Sequence, residues 1–335
     1  MSTIQPLFEE IKKLTSPHII ITTHHKPDAD ALGSSLALYN YFKNAGIASQ
    51  VISPTDYGDF LDWMAGEPTV INFEEHKQLS SEMIAEADYV FCLDFNALSR
   101  INDMGGMVAN SKCKKVLIDH HLNPESFYDF EHWSSKASST CELIYEVIRL
   151  WDYSFMDRDI ARCLYAGIMT DTGSFRFPST LPSTHMAVAE LLKFNIDHHF
   201  IHEHIFDSFT EDRVRFVGHV VSQKLVLIPE YHVAYMTVTQ DELALFNITT
   251  GDTEGLVNYG LGIKGIKFAA LFIDRKQLVK MSFRSKGDFP ANEFAAKYFK
   301  GGGHFNAAGG QSDLSLDDTV KKFIGALPEW SNLLK

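Results

Sequence analysis

The sequence predicts an α/β protein with a mainly parallel sheet flanked by helices, followed by a second, smaller αβ domain. Between residues 18 and 180, short apolar runs alternate with segments of helical periodicity, as in strands joined by helical crossovers. A polar, helical stretch without a strand pattern follows, and new apolar runs begin at residue 224. We therefore expect a first domain at 1–195, a helical connector at 196–222 and a second domain at 223–335.

Individual elements follow from the same patterns. In the first domain the strands are "HIIIT", "ASQVIS", "YVFCLDF" and "KKVLIDHH", and the helices cover 31–45, 138–151 and 158–170. In the second domain "KLVLI" and "YHVAYMTVT" are expected to pair across "PEY", and a helix follows near 253–262. The strands "KFAALFI" and "VKMSFRS" come next, then "ANEFAAKYF" and a glycine-rich loop, "KGGGHFNAAGGQ".

Composition argues against several classes of protein. A net charge of −13 disfavours a protein that binds long duplex nucleic acid, because that mode needs a basic surface. No apolar run reaches the roughly 20 residues of a membrane span, and the acidic, amphipathic start is unlike a signal peptide. We therefore expect a cytoplasmic protein. The cysteines form no CxxC pair, so they are expected to be reduced and mostly in the core.

Histidine and aspartate residues collect where predicted strands end. The stretch "THHKPDADALGSS" joins a strand to a helix, and a single aspartate there could simply cap the helix. Ligands of parallel sheets gather at the carboxyl ends of strands, and imidazole with several carboxylates suits manganese or magnesium. Two such ions about 3.5 to 4 Å apart would clamp the attacking and leaving oxygens of a phosphoryl transfer. The candidate residues are His24, His25, Asp28, Asp30, Asp94, Asp119, His120, His121 and Asp171.

A second Asp-His-His triplet, Asp197 to His199, lies between two predicted helices. Here Asp197 is expected to cap a helix and the histidines to lie on its face. A pH-sensitive or adventitious metal patch is the alternative interpretation.

The glycine-rich segment is a candidate anion site. Its glycines allow a ligand to approach the backbone and leave amides available for an anion. His304 would add a donor at the mouth of a helix, and Arg284 suits bidentate phosphate binding. An ordinary glycine-rich turn is the alternative. The candidate anion-binding residues are Arg284, Ser285, Gly302, Gly303 and His304.

These motifs together resemble the DHH phosphoesterases over nearly the whole chain. The pattern His24-x-x-Pro-Asp-x-Asp, then Asp94, then Asp119-His120-His121, then Asp171 is similar to the ordered metal motifs of that family. "GGGHFNAAGG", with "SFRS" upstream, resembles the DHH-associated domain of the nanoRNase and pAp phosphatase branch.

The resemblance implies two manganese ions, with magnesium or cobalt as alternatives, and a role for each motif residue. Asp119 would orient a neighbouring group, and His121 would stabilise charge or protonate the leaving oxygen. His25 occupies a variable position and is left out of the ligand set. One ion would be held by His24, Asp28 and Asp94, and the other by Asp30, Asp94, His120 and Asp171, with Asp94 bridging.

The implied activity is hydrolysis of short oligoribonucleotides to mononucleotides and of 3′-phosphoadenosine 5′-phosphate (pAp) to AMP. Arg284 and His304 would then grip the nucleotide. Cleavage of cyclic or linear dinucleotides is the main alternative, and an inorganic pyrophosphatase or a non-catalytic nucleotide-binding module ranks lower. A homodimer is compatible with the sequence, which does not determine the oligomeric state.

Overall fold

A computed structural model describes residues 4–335, so the first three residues of the amphipathic start lie outside the described part of the chain. The chain divides into two compact units, Met1–Ser208 and Phe209–Lys335, and the division falls inside the segment 196–222. Across residues 4–335, no helix is both long enough and apolar enough for a membrane span.

The first unit contains a sheet of six parallel strands. The strands are β1 (Ile19–Thr23), β2 (Ser49–Ser53), β3 (Ile71–Asn72), β4 (Tyr89–Leu93), β5 (Lys114–Asp119) and β6 (Phe130–Trp133). Their order across the sheet is β3-β2-β1-β4-β5-β6. The sequence patterns missed two of them, β3, which is short, and β6, which is polar. The helices are α1 (Leu7–Lys12), α2 (Ala29–Asn44), α3 (Lys77–Glu86), α4 (Asp103–Asn110), α5 (Thr140–Trp151), α6 (Arg158–Asp171), α7 (Pro182–Leu192) and α8 (His198–Phe206).

Both faces of this sheet are covered. Every residue of β1 and β4 is buried, as expected for parallel strands with helices on both sides. Successive side chains of a strand point to opposite faces, and accordingly Ile19 and Ile21 pack in one apolar cluster while Ile20 packs in another. The apolar runs in the sequence therefore mark fully buried strands.

The strand order reverses at β1, which lies between β2 and β4. Thr23, the last residue of β1, is paired with Leu93, the last residue of β4. His24 and Asp94 therefore leave the sheet side by side. In open α/β sheets, ligands bind in the crevice at such a reversal point.

The second unit contains a mixed sheet. Its strands are β7 (Val226–Ile228), β8 (Val233–Val238), β9 (Phe268–Asp274), β10 (Val279–Ser285), β11 (Gly302–His304) and β12 (Ala307–Ser312). Their order is β11-β12-β10-β9-β8-β7, in which β8 and β9 are parallel and the other pairs antiparallel. The predicted pairing across "PEY" is confirmed by β7 and β8. The helices are α9 (Glu211–His219), α10 (Gln240–Leu245), α11 (Val257–Leu261), α12 (Ala291–Tyr298), α13 (Leu316–Ala326) and α14 (Ser331–Leu334).

The prediction of a loop over 300–311, with His304 at the mouth of a helix, is wrong, because most of this segment forms the hairpin of β11 and β12. Glycine permits the close approach of the two strands. A β-carbon at Gly301 would lie 2.3 Å from the carbonyl oxygen of Gly309, and one at Gly303 would lie 2.7 Å from that of Ala307. Gly303 also has φ of 136°, which disfavours other residues.

Candidate functional site

His24, Asp28 and Asp94 form one group of ligand atoms at the point where the strand order reverses. Nε2 of His24 lies 3.4 Å from Oδ2 of Asp94 and 3.9 Å from Oδ2 of Asp28. The ligand atoms of all three residues lie within 4.8 Å of one another. Nδ1 of His24 is 2.9 Å from the carbonyl oxygen of His25, and a hydrogen bond donated there leaves Nε2 to face the two carboxylates.

Asp28 combines the two roles that the sequence allowed. Its Oδ1 accepts hydrogen bonds from the backbone N–H groups of Asp30 and Ala31, both at 3.0 Å, and so caps α2. Its Oδ2 faces His24. Helix capping therefore fixes the orientation of this carboxylate and leaves one oxygen directed into the group.

A second group consists of Asp30, His120 and Asp171. Nε2 of His120 lies 3.8 Å from Oδ2 of Asp30 and 3.4 Å from Oδ2 of Asp171. It also lies 3.3 Å from Oδ1 of Asp94. The two oxygens of Asp94 therefore face different groups, Oδ2 towards His24 and Oδ1 towards His120. This is the arrangement expected of a carboxylate shared between two ions.

Asp94 has an unusual backbone conformation. Its φ is 63°, in the left-handed region that residues other than glycine seldom adopt, although aspartate is enriched there. The backbone N–H of Asp94 donates to the carbonyl oxygen of Ile118 in β5 over 3.1 Å, which holds the conformation. Strain of this kind costs roughly 1 to 3 kcal/mol and is frequent at functional sites.

Asp119 and His121 form a buried pair beside these groups. Nδ1 of His121 lies 2.8 Å from Oδ1 of Asp119, whose side chain is fully buried. The indole N–H of Trp133 donates to the carbonyl oxygen of His121 over 2.7 Å. Asp119 thus orients the His121 ring, and a proton on Nδ1 makes Nε2 the atom available for acid–base work.

The start of α5 contributes contacts that the sequence patterns did not reveal. The backbone N–H groups of Thr140 and Cys141 donate to the two carboxylate oxygens of Asp30 over 2.7 and 2.8 Å. The hydroxyl of Thr140 donates to Oδ1 of Asp94 over 2.8 Å. A helix over 138–151 was predicted, and "SSTCE" carries an N-cap signal, but that signal says nothing about which carboxylates the helix start will meet.

Burial and mutual charge shift the pKa values of the residues in this cluster. Burial, followed by the charge of Asp94, raises the pKa of Asp30 to about 7, and burial with neighbouring carboxylates raises the pKa of Asp171 well above its usual range. Burial would raise the pKa of Asp94, but its hydrogen bonds to His120 and His24 lower it. Burial opposes the charged form of His120, yet the hydrogen bond and charge of Asp94 raise its pKa to about 10. Carboxylates outnumber imidazoles in the two groups, and such a mixed set of donors suits divalent ions.

In the second unit, the strand register brings Arg284 and His304 to one face of the sheet. Both residues are paired with Ala307, Arg284 from β10 and His304 from β11. Directly opposed residues in antiparallel strands project to the same face, so an arginine and a histidine flank a small residue. Their separation across two strand spacings is on the order of 10 Å.

Ser285 and the adjoining turn are held internally. The hydroxyl of Ser285, a buried residue, donates to the carbonyl oxygen of Phe289 over 2.6 Å and accepts from the amide of Asn306 over 2.8 Å. These contacts join the end of β10 to the turn between β11 and β12. Sequence reasoning did not single out Asn306, whose only visible signal is its position in a turn.

The second Asp-His-His triplet lies at a helix start, as predicted. Asp197 caps α8 by accepting a hydrogen bond from the backbone N–H of Phe200 over 3.1 Å. His198 and His199 are exposed, and Nδ1 of His199 is 3.7 Å from Glu203 on the same helix. The interpretation of these residues as a cap and a helix face is confirmed.

Comparison with known proteins identifies the class. A sequence profile of the DHH family, N-terminal domain, matches residues 18–168, and one of the DHHA1 domain matches residues 230–331. The chain therefore belongs to the DHH family of phosphoesterases and carries a DHHA1 domain in its second unit.

Its relatives match most or all of the chain. It is 29% identical to the probable bifunctional oligoribonuclease and PAP phosphatase NrnA of Streptococcus mutans, over 100% of both chains. It is 28% identical to the bifunctional oligoribonuclease and PAP phosphatase NrnA of Bacillus subtilis, over 87% of this chain and 88% of that one. A solved structure of an exopolyphosphatase-related protein from Bacteroides fragilis is 36% identical and matches 99% of this chain and 97% of that chain, with a TM-score of 0.93.

Proposed function

We propose that the protein is a metal-dependent phosphoesterase that hydrolyses short oligoribonucleotides to mononucleotides and pAp to AMP. The observation that carries the proposal is the position of Asp94, whose two carboxylate oxygens face two separate His/Asp groups. The names of the NrnA relatives support this substrate class.

The expected ligand sets agree with this geometry. His24, Asp28 and Asp94 would hold one ion, and Asp30, Asp94, His120 and Asp171 the other. We propose Mn²⁺ as the ion, with Mg²⁺ or Co²⁺ as alternatives, because mixed imidazole and carboxylate ligands suit borderline to hard ions. When bound, a pair of divalent ions stabilises charge on the phosphate and provides a strong nucleophile near neutral pH.

The chain's own residues would complete the reaction. Asp119 holds Nδ1 of His121 at 2.8 Å, so that a His121 ring with a proton on both nitrogens would give the one on Nε2 to the leaving oxygen. Arg284 and His304 would bind a phosphate of the nucleotide, together with the backbone of Gly302 and Gly303. Binding energy from these groups would be used to place the scissile phosphate.

A substrate panel tests the proposal. The protein with Mn²⁺ would be incubated with a diribonucleotide, a longer oligoribonucleotide, pAp, a cyclic dinucleotide, pyrophosphate and polyphosphate, and initial rates compared. We expect the diribonucleotide and pAp to be fastest. Faster turnover of the cyclic dinucleotide would support the main alternative. A preference for polyphosphate would instead favour exopolyphosphatase activity, to which the name of the exopolyphosphatase-related protein from Bacteroides fragilis refers. No turnover of any substrate with Mn²⁺, Mg²⁺ or Co²⁺ would contradict an enzymatic role.

A further inference from the structure

Three hydrogen-bond donors at the start of α5 converge on Asp30 and Asp94. The backbone N–H groups of Thr140 and Cys141 reach one oxygen each of Asp30, at 2.7 and 2.8 Å. The Thr140 hydroxyl reaches Oδ1 of Asp94 at 2.8 Å. Thr140, Asp30 and Asp94 are each at most 2% exposed, so water does not compete effectively for these contacts.

The Thr140 hydroxyl bonds the Asp94 oxygen that faces His120. The terminal torsion of an aspartate side chain is broad and only weakly restricted, so an isolated carboxylate would rotate. A hydrogen bond to Oδ1 resists that rotation, and it keeps Oδ2 directed at His24. One threonine thereby constrains both oxygens of the carboxylate that faces the two groups.

Thr140 is itself held by a buried polar network. Ser139 caps α5 by accepting from the backbone N–H of Glu142 over 3.0 Å. The carboxylate of Glu142, 3% exposed, accepts from the backbone N–H and hydroxyl of Ser138 at 2.9 and 2.6 Å and from the hydroxyl of Thr184 at 3.0 Å. These bonds tie the segment before α5 to α5 and to α7. Thr140 therefore presents its donors from a fixed backbone.

We infer that Thr140 is a positioning residue that orients the Asp94 carboxylate between the two groups that would hold the ions. The inference rests on the proposed two-ion site. Thr140 is not among the residues proposed to hold the ions, and it would act through its hydrogen bonds to Asp94 and Asp30. Partners of this kind, behind the direct ligands, typically change metal affinity by about tenfold to a hundredfold when removed.

The test is a titration of metal-free protein with Mn²⁺, followed calorimetrically, for wild type, Thr140→Val and Thr140→Ser. Thr140→Val keeps the shape and the backbone N–H but removes the hydroxyl. We expect the affinity for at least one Mn²⁺ to fall by about tenfold to a hundredfold. Thr140→Ser should restore most of it, and the diribonucleotide kcat of Thr140→Val should recover as Mn²⁺ is raised.

Thr22→Val is the matched control. Thr22 is fully buried in β1, and its hydroxyl has no hydrogen-bond partner among residues 4–335, so this variant should bind Mn²⁺ as the wild type does. Equal Mn²⁺ affinities for wild type and Thr140→Val would overturn the positioning role and leave the proposed function standing. So would a loss of Mn²⁺ affinity in Thr140→Ser as large as that in Thr140→Val. A wild-type protein that binds no divalent ion would overturn both.

Discussion

Gly167 of α6 lies so close to Asp30 that a β-carbon at this position would be 2.6 Å from Oδ1 of Asp30. It would also be 2.3 Å from Sγ of Cys141, whose backbone N–H donates to the same oxygen of Asp30. The lack of a β-carbon at residue 167 therefore leaves the space that the Asp30 carboxylate occupies.

We expect Gly167→Ala to displace Asp30 and to reduce Mn²⁺ affinity and turnover together by tenfold or more, as for other losses of ligand support. Gly106→Ala in α4 is a matched control, because a β-carbon there meets nothing within 4 Å. That change should be neutral or slightly stabilising, since alanine is the better helix former. Unchanged Mn²⁺ binding in Gly167→Ala would contradict the steric argument.

Asp94→Ala should abolish activity and lower the amount of bound Mn²⁺ more than any other single substitution, because among residues 4–335 only this carboxylate faces both groups. Metal content after dialysis and initial rates would be measured in parallel. Asp28→Ala is the comparison, since the Asp28 side chain is 45% exposed and faces one group. Full metal occupancy in Asp94→Ala would refute the shared role.

The two Asp-His-His triplets can be separated by mutation. His120→Ala should cost orders of magnitude in turnover, since Nε2 of His120 lies within 3.4 Å of Asp94 and Asp171. His198→Ala combined with His199→Ala should leave turnover within a few fold, because these side chains lie on an exposed helix face. Comparable losses in both proteins would show that the wrong triplet has been assigned.

Arg284 and His304 should matter for nucleotides and not for generic esters. A charge-assisted hydrogen bond is worth roughly 1.5 to 3 kcal/mol, so Arg284→Ala should reduce kcat/KM on a diribonucleotide by about ten- to a hundredfold or more. Hydrolysis of bis-p-nitrophenyl phosphate should be nearly unchanged in Arg284→Ala and His304→Ala but abolished in Asp94→Ala. All proteins would be compared at one Mn²⁺ concentration. Equal loss of both substrates in the Arg284 and His304 variants would place these residues in the chemical step.

Because of Glu242, the free energy of unfolding of the second unit should change with pH in the acid range. Burial alone would raise the pKa of Glu242, but hydrogen bonds from Lys224, His219 and Thr239 lower it from 4.5 to about 2. A carboxylate with a depressed pKa stabilises the fold above its ordinary pKa, and the contribution is lost as the pH falls towards 2.

Glu242→Gln should therefore lower the melting temperature most above pH 5, and the difference from wild type should shrink between pH 5 and pH 3. Glu211→Gln is the control in the same unit, because the Glu211 carboxylate pairs with Arg215 in an exposed salt bridge and exposed pairs contribute little. A difference between Glu242→Gln and wild type that stays constant from pH 7 to pH 3 would contradict the assignment.

The sequence located the site residues that directly follow a predicted strand. His24 and Asp94 come one residue after buried strands. An apolar run followed by a residue that can bind a metal ion therefore locates both of them, in the sequence and in the fold. Thr140 could not be found in this way, because its donors are a hydroxyl and a backbone N–H, which many helix starts possess. The hairpin of β11 and β12 was missed because glycine and alanine carry no hydrophobic alternation, and its pairing depends on contacts that arise only after folding.

The left-handed backbone of Asp94 has a consequence for how this residue would change under selection. Glycine at position 94 would relieve backbone strain of roughly 1 to 3 kcal/mol, but it would also remove the carboxylate that accepts the Thr140 hydrogen bond, and a buried donor that loses its partner costs about as much. Laboratory evolution for heat resistance alone would therefore gain little from keeping or losing Asp94, whereas selection for turnover would retain it. In a descendant that had abandoned the reaction, we would expect residue 94 to be among the first of the cluster to drift.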